Sequence, residues 1–501
     1  MKIKSFLAWP FANYVNRQIK KGLATSLADQ QTIFHQLIKT GTKTHFGTDH
    51  SFSTIKSHED FVKQVPVRDY EALKPYIEKI KEGRHNILWK GQPVYFAKTS
   101  GTTSGVKYIP ITKESIGNHI NSARNALLTY MAESGNNKFA DGKMIFLSGS
   151  PELERISGIP TGRLSGIVNH HVPKYLRGNQ LPSFETNCIE DWETKLDRIV
   201  DETINENMTL ISGIPPWIQM YFDKLQERSG KKIGDLFPNF SVMVQGGVNF
   251  EPYKRKLSDS IGRHVDTIEL FPASEGFFAF QDSQNDDGML LNTNDGIFYE
   301  FIPVSEINNE NPTRLCLRDV KTGENYALII SSNAGLWAYN IGDTVKFVST
   351  SPYRIIVSGR TKHFISAFGE HVIAEEVEDA LMEVVEGTEV RINEFTIAPM
   401  VAQDGGKSYH EWFIEFEKIP EDLSAFSSQL DLNLRNKNVY YDDLVKGSIL
   451  QPLQITLVRK NGFLDYMKQI GKLGGQNKVA RLGNDRKIAD QLGKFILTPA
   501  I

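Results

Sequence analysis

The chain has 501 residues, 40% hydrophobic and 23% charged, with 57 Lys+Arg against 60 Asp+Glu for a formal net charge of −3. That length accommodates roughly three domain-sized units, or two unequal ones, and the composition suits a globular chain with a substantial core. The charge balance excludes the basic surplus of a dedicated nucleic-acid binder. Two cysteines, Cys188 and Cys316, are too few for a disulfide scaffold and suit a reducing compartment, so a cytoplasmic location is expected. The adjacent His170 and His171 lack ligand-spaced partners, so no structural zinc site is read.

At the N-terminus, Lys2 and Lys4 precede an apolar stretch from Phe6 to Ala12 that Pro10 interrupts, which argues against a signal peptide. No later run reaches the ~18 apolar residues of a membrane span. An amphipathic start to the fold is expected, with a peripheral membrane contact as the alternative. Leu27, Ile33, Phe34, Leu37 and Ile38 recur at helical spacing, and Tyr70 to Ile77 reads as helix segments broken at Pro75. Val94 to Ala97 is a short strand running into a Gly/Ser/Thr-rich loop. Met144 to Leu147, Thr209 to Ile211, Ser241 to Val244 and Thr267 to Leu270 are candidate strands; Trp192 to Ile204 and Trp217 to Arg228 are candidate helices. The alternation predicts an α/β architecture. From Gly296 to Val357 the texture changes to consecutive strands joined by Gly/Asn/Asp turns (297–302, 314–317, 326–330 and 353–357), which suggests a small β subdomain. A helix from Ala374 to Val385 and strands at 389–397 and 411–416 then suit an α+β domain of their own. The expected domains are therefore 1–358 and 359–501.

Six segments carry possible chemistry. In Thr99-Ser-Gly-Thr-Thr-Ser-Gly105 a strand feeds backbone N–H groups and hydroxyls that can converge on phosphate oxygens, with Lys107 as a nearby cation. Lys107 comes two residues after Gly105 and Tyr108 follows, so the spacing is not that of a Walker A loop. A polar turn is the alternative. Gln245-Gly246-Gly247 after a strand lets backbone approach a flat ligand, or is simply a turn. In Leu270-Phe-Pro-Ala-Ser-Glu-Gly276, Phe271 suits base stacking, Ser274 a phosphate oxygen and Glu275 a hard cation such as Mg²⁺; a helix start capped by Ser274 is the alternative. Asp343, after Gly342, suits ribose hydroxyls or a hairpin turn. Ser358-Gly-Arg360-Thr-Lys362 reads as a hinge with an arginine for ribose or phosphate, or as a solvated linker. Lys478, in Gly474-Gly-Gln-Asn-Lys478, sits on a softened loop from which it can meet developing charge, or is an ordinary surface lysine.

In this order the segments resemble the adenylate-forming superfamily of acyl-CoA synthetases, firefly luciferase and peptide-synthetase adenylation domains. The closer match is to the acyl acid amido synthetases, the auxin-responsive family of plants and its bacterial relatives. The resemblance rests on Ala97 to Pro110, Ala273 to Gly276, Tyr339 to Asp343, Gly359 to Lys362 and Gln476 to Lys478, with Asp60 to Tyr70 similar to the bacterial branch. It implies an α/β fold: a large N-terminal α/β domain with a β-barrel-like part, and a small α+β C-terminal lid. It also implies ATP and Mg²⁺. Ser100, Thr102 and Thr103 would hold phosphates, Gly246 and Gly247 border the adenine, and Phe271 stack on it. Ser274 and Glu275 would face phosphate or Mg²⁺, Asp343 and Arg360 the ribose, and Lys362 would be the hinge. Lys478 and Lys107 would be the catalytic cations. Two departures stand out: a short, weakly basic segment between Gly105 and Pro110, and Phe271 where the superfamily more often has tyrosine.

The implied reaction activates a carboxylic acid as acyl-AMP and passes the acyl group to an amine, an amino acid, releasing AMP and pyrophosphate. The rivals are thioester formation with coenzyme A and a non-catalytic nucleotide-binding protein on the same scaffold. The region from Leu147 to Glu152 and from Gly162 to Ser165 is a candidate acid pocket, with Arg163 for a second carboxylate or as a surface residue. Small-molecule partners are expected, without nucleic acid or integral membrane association. The acid, the amine and the oligomeric state stay open, a monomer being compatible with the sequence.

Overall fold

The structure is a computed structural model. It describes residues 3–100, 106–172, 178–189, 191–247, 250–307, 309–360, 364–365, 370, 372–400, 408–446, 450–473, 478–483 and 485–497. The chain forms two units, one of residues 1–250 and 257–357 and one of residues 251–256 and 358–501.

The first unit begins with helices α1 (Ile3–Gly22), α2 (Ser26–Gly41), α3 (His45–Asp49), α4 (His58–Gln64) and α5 (Tyr70–Lys81). In α2 the expected apolar stripe is buried at Ile33, Phe34, Leu37 and Ile38, whereas Leu27 is exposed. The expected break at Pro75 does not occur, and α5 runs through it. A proline inside a helix costs about 3 kcal/mol. Tyr70, Leu73, Ile77 and Ile80, spaced on one face, are all buried, and each such burial contributes about 1.5–3 kcal/mol, so packing outweighs the lost hydrogen bond.

Strands β1 (Tyr95–Ser100) and β2 (Val106–Ile111) form an antiparallel hairpin. Helix α6 (Ile116–Ser134) and strands β3 (Lys143–Phe146), β4 (Glu154–Ile156) and β5 (Ile159–Gly162) follow. A four-stranded sheet has the order β2-β1-β5-β4. Beyond α7 (Leu164–His170) come β6 (Gln180–Leu181), α8 (Phe184–Asn187), α9 (Trp192–Thr203), β7 (Met208–Gly213), α10 (Pro215–Ser229), α11 (Ile233–Leu236), β8 (Val242–Gly246) and α12 (Glu251–Ile261). Strands β9 (Asp266–Ala273), β10 (Gly276–Phe280), β11 (Met289–Leu291), β12 (Ile297–Pro303), β13 (Leu315–Cys316), β14 (Asn325–Ser332), β15 (Tyr339–Thr350) and β16 (Tyr353–Arg360) complete the second sheet.

That sheet has twelve strands in the order β13-β12-β14-β15-β16-β11-β10-β9-β8-β7-β3-β6. Its β6-β3-β7-β8-β9 half is parallel, as helical crossovers between strands require. The strands expected as a β-barrel-like part are antiparallel, and the β11–β16 pair joins them to the parallel half. On one side, Ala12 and Val15 of α1 and Ala126, Tyr130 and Met131 of α6 share a core with Leu210, Val242, Val244 and Ile268 of the sheet. Among the described residues no helix is long and apolar enough to cross a membrane.

The second unit holds the pair β17 (Phe364–Ile365) and β18 (Val372–Ile373), then α13 (Ala374–Val385), β19 (Arg391–Met400), β20 (Tyr409–Lys418), α14 (Leu423–Lys437), α15 (Val439–Lys446), β21 (Gln454–Val458), α16 (Gly462–Gln469) and α17 (Lys487–Leu492). Its three-stranded sheet, β19-β20-β21, packs Trp412 and Ile414 against Val377 and Leu381 of α13 and Leu430 and Leu434 of α14.

Candidate active site

The β1–β2 register sets Lys107 opposite Thr99 and Val106 opposite Ser100, so the Gly/Ser/Thr-rich segment is the connection of a hairpin. Thr102 and Thr103 lie in that connection, outside the described residues, and Ser100 is described by its backbone alone. Alternation along β2 separates Lys107 from Tyr108. The Lys107 ammonium lies 5.7 Å from the centroid of the Tyr70 ring. The Tyr108 N–H donates to the Tyr70 hydroxyl at 2.9 Å. Lys98, facing the other way, reaches Glu154 at 3.1 Å on an exposed surface, where such a pair contributes little.

Tyr70 opens α5, and Asp69 caps that helix by accepting the Ala72 N–H. Arg68 fixes this entry against β15: its N–H donates to the Ala338 carbonyl at 3.0 Å, and its carbonyl accepts from the Asn340 N–H at 2.9 Å. The residue between those two, Tyr339, is buried and donates its hydroxyl to Glu275 across a long 3.4 Å. Burial first, then the charges of Glu275 and Asp69, raise the Tyr339 phenol well above its ordinary value, so it stays a neutral donor.

Ser274 and Glu275 form the two-residue turn of the β9–β10 hairpin, because Ala273 pairs with Gly276. No helix starts at Ser274, and the capping alternative is thereby set aside. The hairpin leaves Glu275 half-buried at its tip beside Tyr339. Lys107, Tyr70, Tyr339 and Glu275 thus lie on four segments that are apart in sequence.

Other expected positions fall differently. Phe271 is 5% exposed and its ring packs edge-on against Phe278 at 5.1 Å. The ring lies on the inward face of β9, within the core. Gly246 ends β8 opposite Leu270, and a Cβ there would stand 2.2 Å from the Leu270 carbonyl oxygen. Close strand packing therefore demands this glycine on its own account. Gly247, with φ +80°, turns the chain out of the strand.

Asp343 is within β15, not in a hairpin turn. Thr344 pairs with Ala327 and Asn340 with Ile329, so Ile341, Gly342 and Asp343 bulge opposite Leu328. Gly342 adopts φ +88°, and its N–H donates to the Asn340 side chain at 2.8 Å. Bulges of this kind re-aim a side chain. Arg360 ends β16 and belongs with Lys478 to the second unit; Arg360 is described by its backbone alone, and Lys478 is exposed. Lys362 and residues 474–477 lie outside the described residues.

At the candidate acid pocket, the Gly149 N–H donates to the Ser165 hydroxyl at 3.2 Å. A Cβ at Gly149 would meet the Arg163 side chain at 2.6 Å. Lys195, which sequence reasoning did not single out, is buried and donates to the carbonyls of Ser148 at 2.9 Å and Asn187 at 2.7 Å. Burial, reinforced by the Arg163 charge, lowers its ammonium to about 8. Tyr70, Tyr339 and Arg68 likewise carry no sequence signal of a role. Their juxtaposition comes from the Arg68–β15 pairing, for which no local sequence signal exists.

Among the described residues no group of three or more His, Cys, Asp or Glu side chains is placed to hold a metal ion. A lone carboxylate with hydroxyl neighbours fits Mg²⁺ when substrate phosphates supply the remaining oxygens. Glu275 is such a carboxylate.

Three family models match in chain order: the GH3 family N-terminal domain over residues 17–187, the GH3 family central domain over 290–360 and the GH3 family C-terminal domain over 375–487. Jasmonoyl-L-amino acid synthetase JAR4 of Nicotiana attenuata is 22% identical, covering 84% of this chain and 85% of that one. Indole-3-acetic acid-amido synthetase GH3.3 of Arabidopsis thaliana is 22% identical over 94% and 91% of the two chains. The solved GH3.15 acyl acid amido synthetase matches with a TM-score of 0.80 at 14% identity over 96% of each chain, which makes the fold common to both. With all three domain models in order along it, the chain belongs to the GH3 family.

Proposed function

We infer that the protein is an ATP-dependent, adenylate-forming ligase that joins a carboxylic acid to an amine, an amino acid, through an acyl adenylate. The observation that carries this reading is the series Lys107, Tyr70, Tyr339 and Glu275, in which the Lys107 ammonium faces the Tyr70 ring and the Tyr339 hydroxyl donates to Glu275, with Tyr70 and Tyr339 coupled through their charges. In it two buried tyrosines stand between the hairpin that carries Lys107 and the turn that carries Glu275. Family membership and relatives that are named as amino acid synthetases support the same chemistry.

In the first step a carboxylate oxygen attacks the α-phosphorus of ATP, and the bond to the departing pyrophosphate breaks. In the second step the amine nitrogen attacks the acyl carbon, the bond to AMP breaks, and the nitrogen loses a proton. No covalent bond to the protein is needed. The hairpin segment with Ser100, Thr102 and Thr103 binds the phosphates, with Lys107 beside them. Glu275 would hold Mg²⁺, which would supply charge neutralisation at the phosphates, and Ser274 would face a phosphate oxygen. Gly246 and Gly247 border the base, and Asp343, re-aimed by its bulge, takes the ribose with Arg360. Lys362 serves as hinge of a mobile lid formed by the C-terminal domain. Lys478 meets the charge that builds at the α-phosphate.

A matrix of acids against amino acids and coenzyme A, read by pyrophosphate release and product mass, tests this. Acid-dependent pyrophosphate release with an amide product is expected. A thioester product, or no pyrophosphate with any acid, removes the reading. In the same assay Lys478→Ala should abolish most pyrophosphate release while ATP still binds; undiminished release removes Lys478 from the mechanism.

A further inference from the structure

The loop that leaves β3 runs over a buried cation. Lys195, on the buried face of α9, is 3% exposed. Its ammonium donates to two main-chain carbonyls, Ser148 at 2.9 Å and Asn187 at 2.7 Å. Lysine carries three donors, and among the described residues no carboxylate pairs with this one: the charges that reach it are those of Arg163, which opposes it, and the Cys188 thiol. A buried charge is ordinarily paired, because an isolated one is costly to take out of water. The two residues that hold the ammonium each add a side-chain oxygen, Ser148 Oγ and Asn187 Oδ1. Both oxygens are buried and make no hydrogen bond among the described residues. Covalent geometry keeps them within one residue's reach of the ammonium. Next in the loop, the Arg163 side chain crosses Gly149, where a Cβ would stand 2.6 Å from its Cδ, so a second cation borders the same spot. Ser148 and Arg163 are half-buried, which puts the spot at the rim of the core and not deep within it.

The position suits a substrate. Strands β3, β7, β8 and β9 run parallel, so the loop after β3 and the Ser274–Glu275 turn after β9 lie at the same edge of the sheet. Open α/β sheets bind ligands beyond these C-terminal strand ends. Three strand spacings, about 14 Å, separate the two strands. A group held at Lys195 therefore belongs to the far end of a molecule that reacts nearer Glu275. We propose, on the adenylation reading above, that Lys195 and Ser148 form an anion subsite for the second carboxylate of a dicarboxylic acid substrate. One oxygen of that carboxylate accepts the third Lys195 N–H, and the other accepts the Ser148 O–H. Asn187 can turn its amide to offer Nδ2–H as well. A water molecule completes hydrogen bonds without neutralising the ammonium; a carboxylate does both. A monocarboxylic acid with an alkyl end leaves the buried charge uncompensated, which makes its complex the costlier one.

Matched acids decide it. Pyrophosphate release by the full chain, with ATP, Mg²⁺ and an amino-acid mixture, is measured for straight-chain diacids from succinate to sebacate and for the monoacids of equal length, butyrate to decanoate, with terephthalate against benzoate. At least one diacid is expected to exceed its partner at least about tenfold in kcat/KM. Release with monoacids and no such preference overturns the subsite and leaves adenylation standing. Ser148→Ala removes a hydroxyl without a hydrogen bond among the described residues, and Lys195→Met keeps the length of the side chain. Each is expected to collapse the preference by raising KM for the diacid more than for its partner. A folded variant that keeps the preference, or loses both acids alike, overturns the role of its residue. No release with any acid fails adenylation instead, and the subsite is then read from the melting temperature of the wild-type chain. A diacid is expected to raise it above the value with its monoacid partner; no such rise overturns the subsite.

Discussion

Two buried-to-surface clusters in the first unit each centre on a glutamate, and they are built to opposite ends. Glu300 is fully buried, and Arg314 and His58 meet it with three bonds of 2.7 to 2.9 Å. Burial alone would raise its pKa, but Arg314 first and His58 next hold the carboxyl below the usual range. Glu275 sits half-buried on a two-residue turn, and the Tyr339 hydroxyl donates to it across 3.4 Å. A bond that long is weak. The Glu300 cluster stores stability in saturated contacts, because a buried charge without them would be costly. Glu275 is the more accessible of the two carboxylates, at the tip of its hairpin turn.

Glu300→Ala should break the first cluster hardest. It strands the Arg314 and His58 charges in a core, and a loss of about 3–5 kcal/mol in unfolding free energy is expected from urea titration. A loss below 1 kcal/mol would mean that the cluster is not structural. Glu275→Ala should do the converse. Acid-dependent pyrophosphate release should fall about a hundredfold and lose its Mg²⁺ dependence, while stability moves by less than about 1 kcal/mol. An unchanged Mg²⁺ titration would take Glu275 out of the metal role.

The pH dependence sharpens the comparison. His58 is raised from 6.5 to about 9 in the folded state. Its contribution to stability is therefore fully present below pH 6.5 and is lost as pH rises through about 9. A decline on the order of 2 kcal/mol across that window is expected, and it should flatten in His58→Gln; an equal decline in the variant assigns the effect elsewhere. The smallest effect belongs to Tyr339→Phe. Removing a hydroxyl that makes one long bond should slow pyrophosphate release about fivefold without altering the Mg²⁺ dependence. A loss beyond a hundredfold would make Tyr339 a principal catalytic group.

Local sequence went far in naming elements. The helix Ala374–Val385 and the strands around 209–211, 241–244 and 267–270 stand where apolar periodicity set them, to within a few residues at their ends. At two positions a local preference yields for the same cause. Pro75 does not break α5 because the stripe from Tyr70 to Ile80 is buried. Ser274 caps no helix because β10 returns on β9. In each case a partner remote in sequence overrides the local preference.

What the sequence determined by itself is the inventory: a phosphate-type loop without Walker spacing, an acidic turn, an aspartate after a glycine, and a late lysine, in an order that resembles one family. Which of them meet was decided only by tertiary structure. The bulge at Ile341–Asp343, the pairing of Arg68 with β15 and the Glu300–Cys316 register each depend on hydrogen bonds between strands and segments far apart in the chain. Residue spacing carries periodicity within an element, but such pairing forms only once distant apolar faces have been driven out of water.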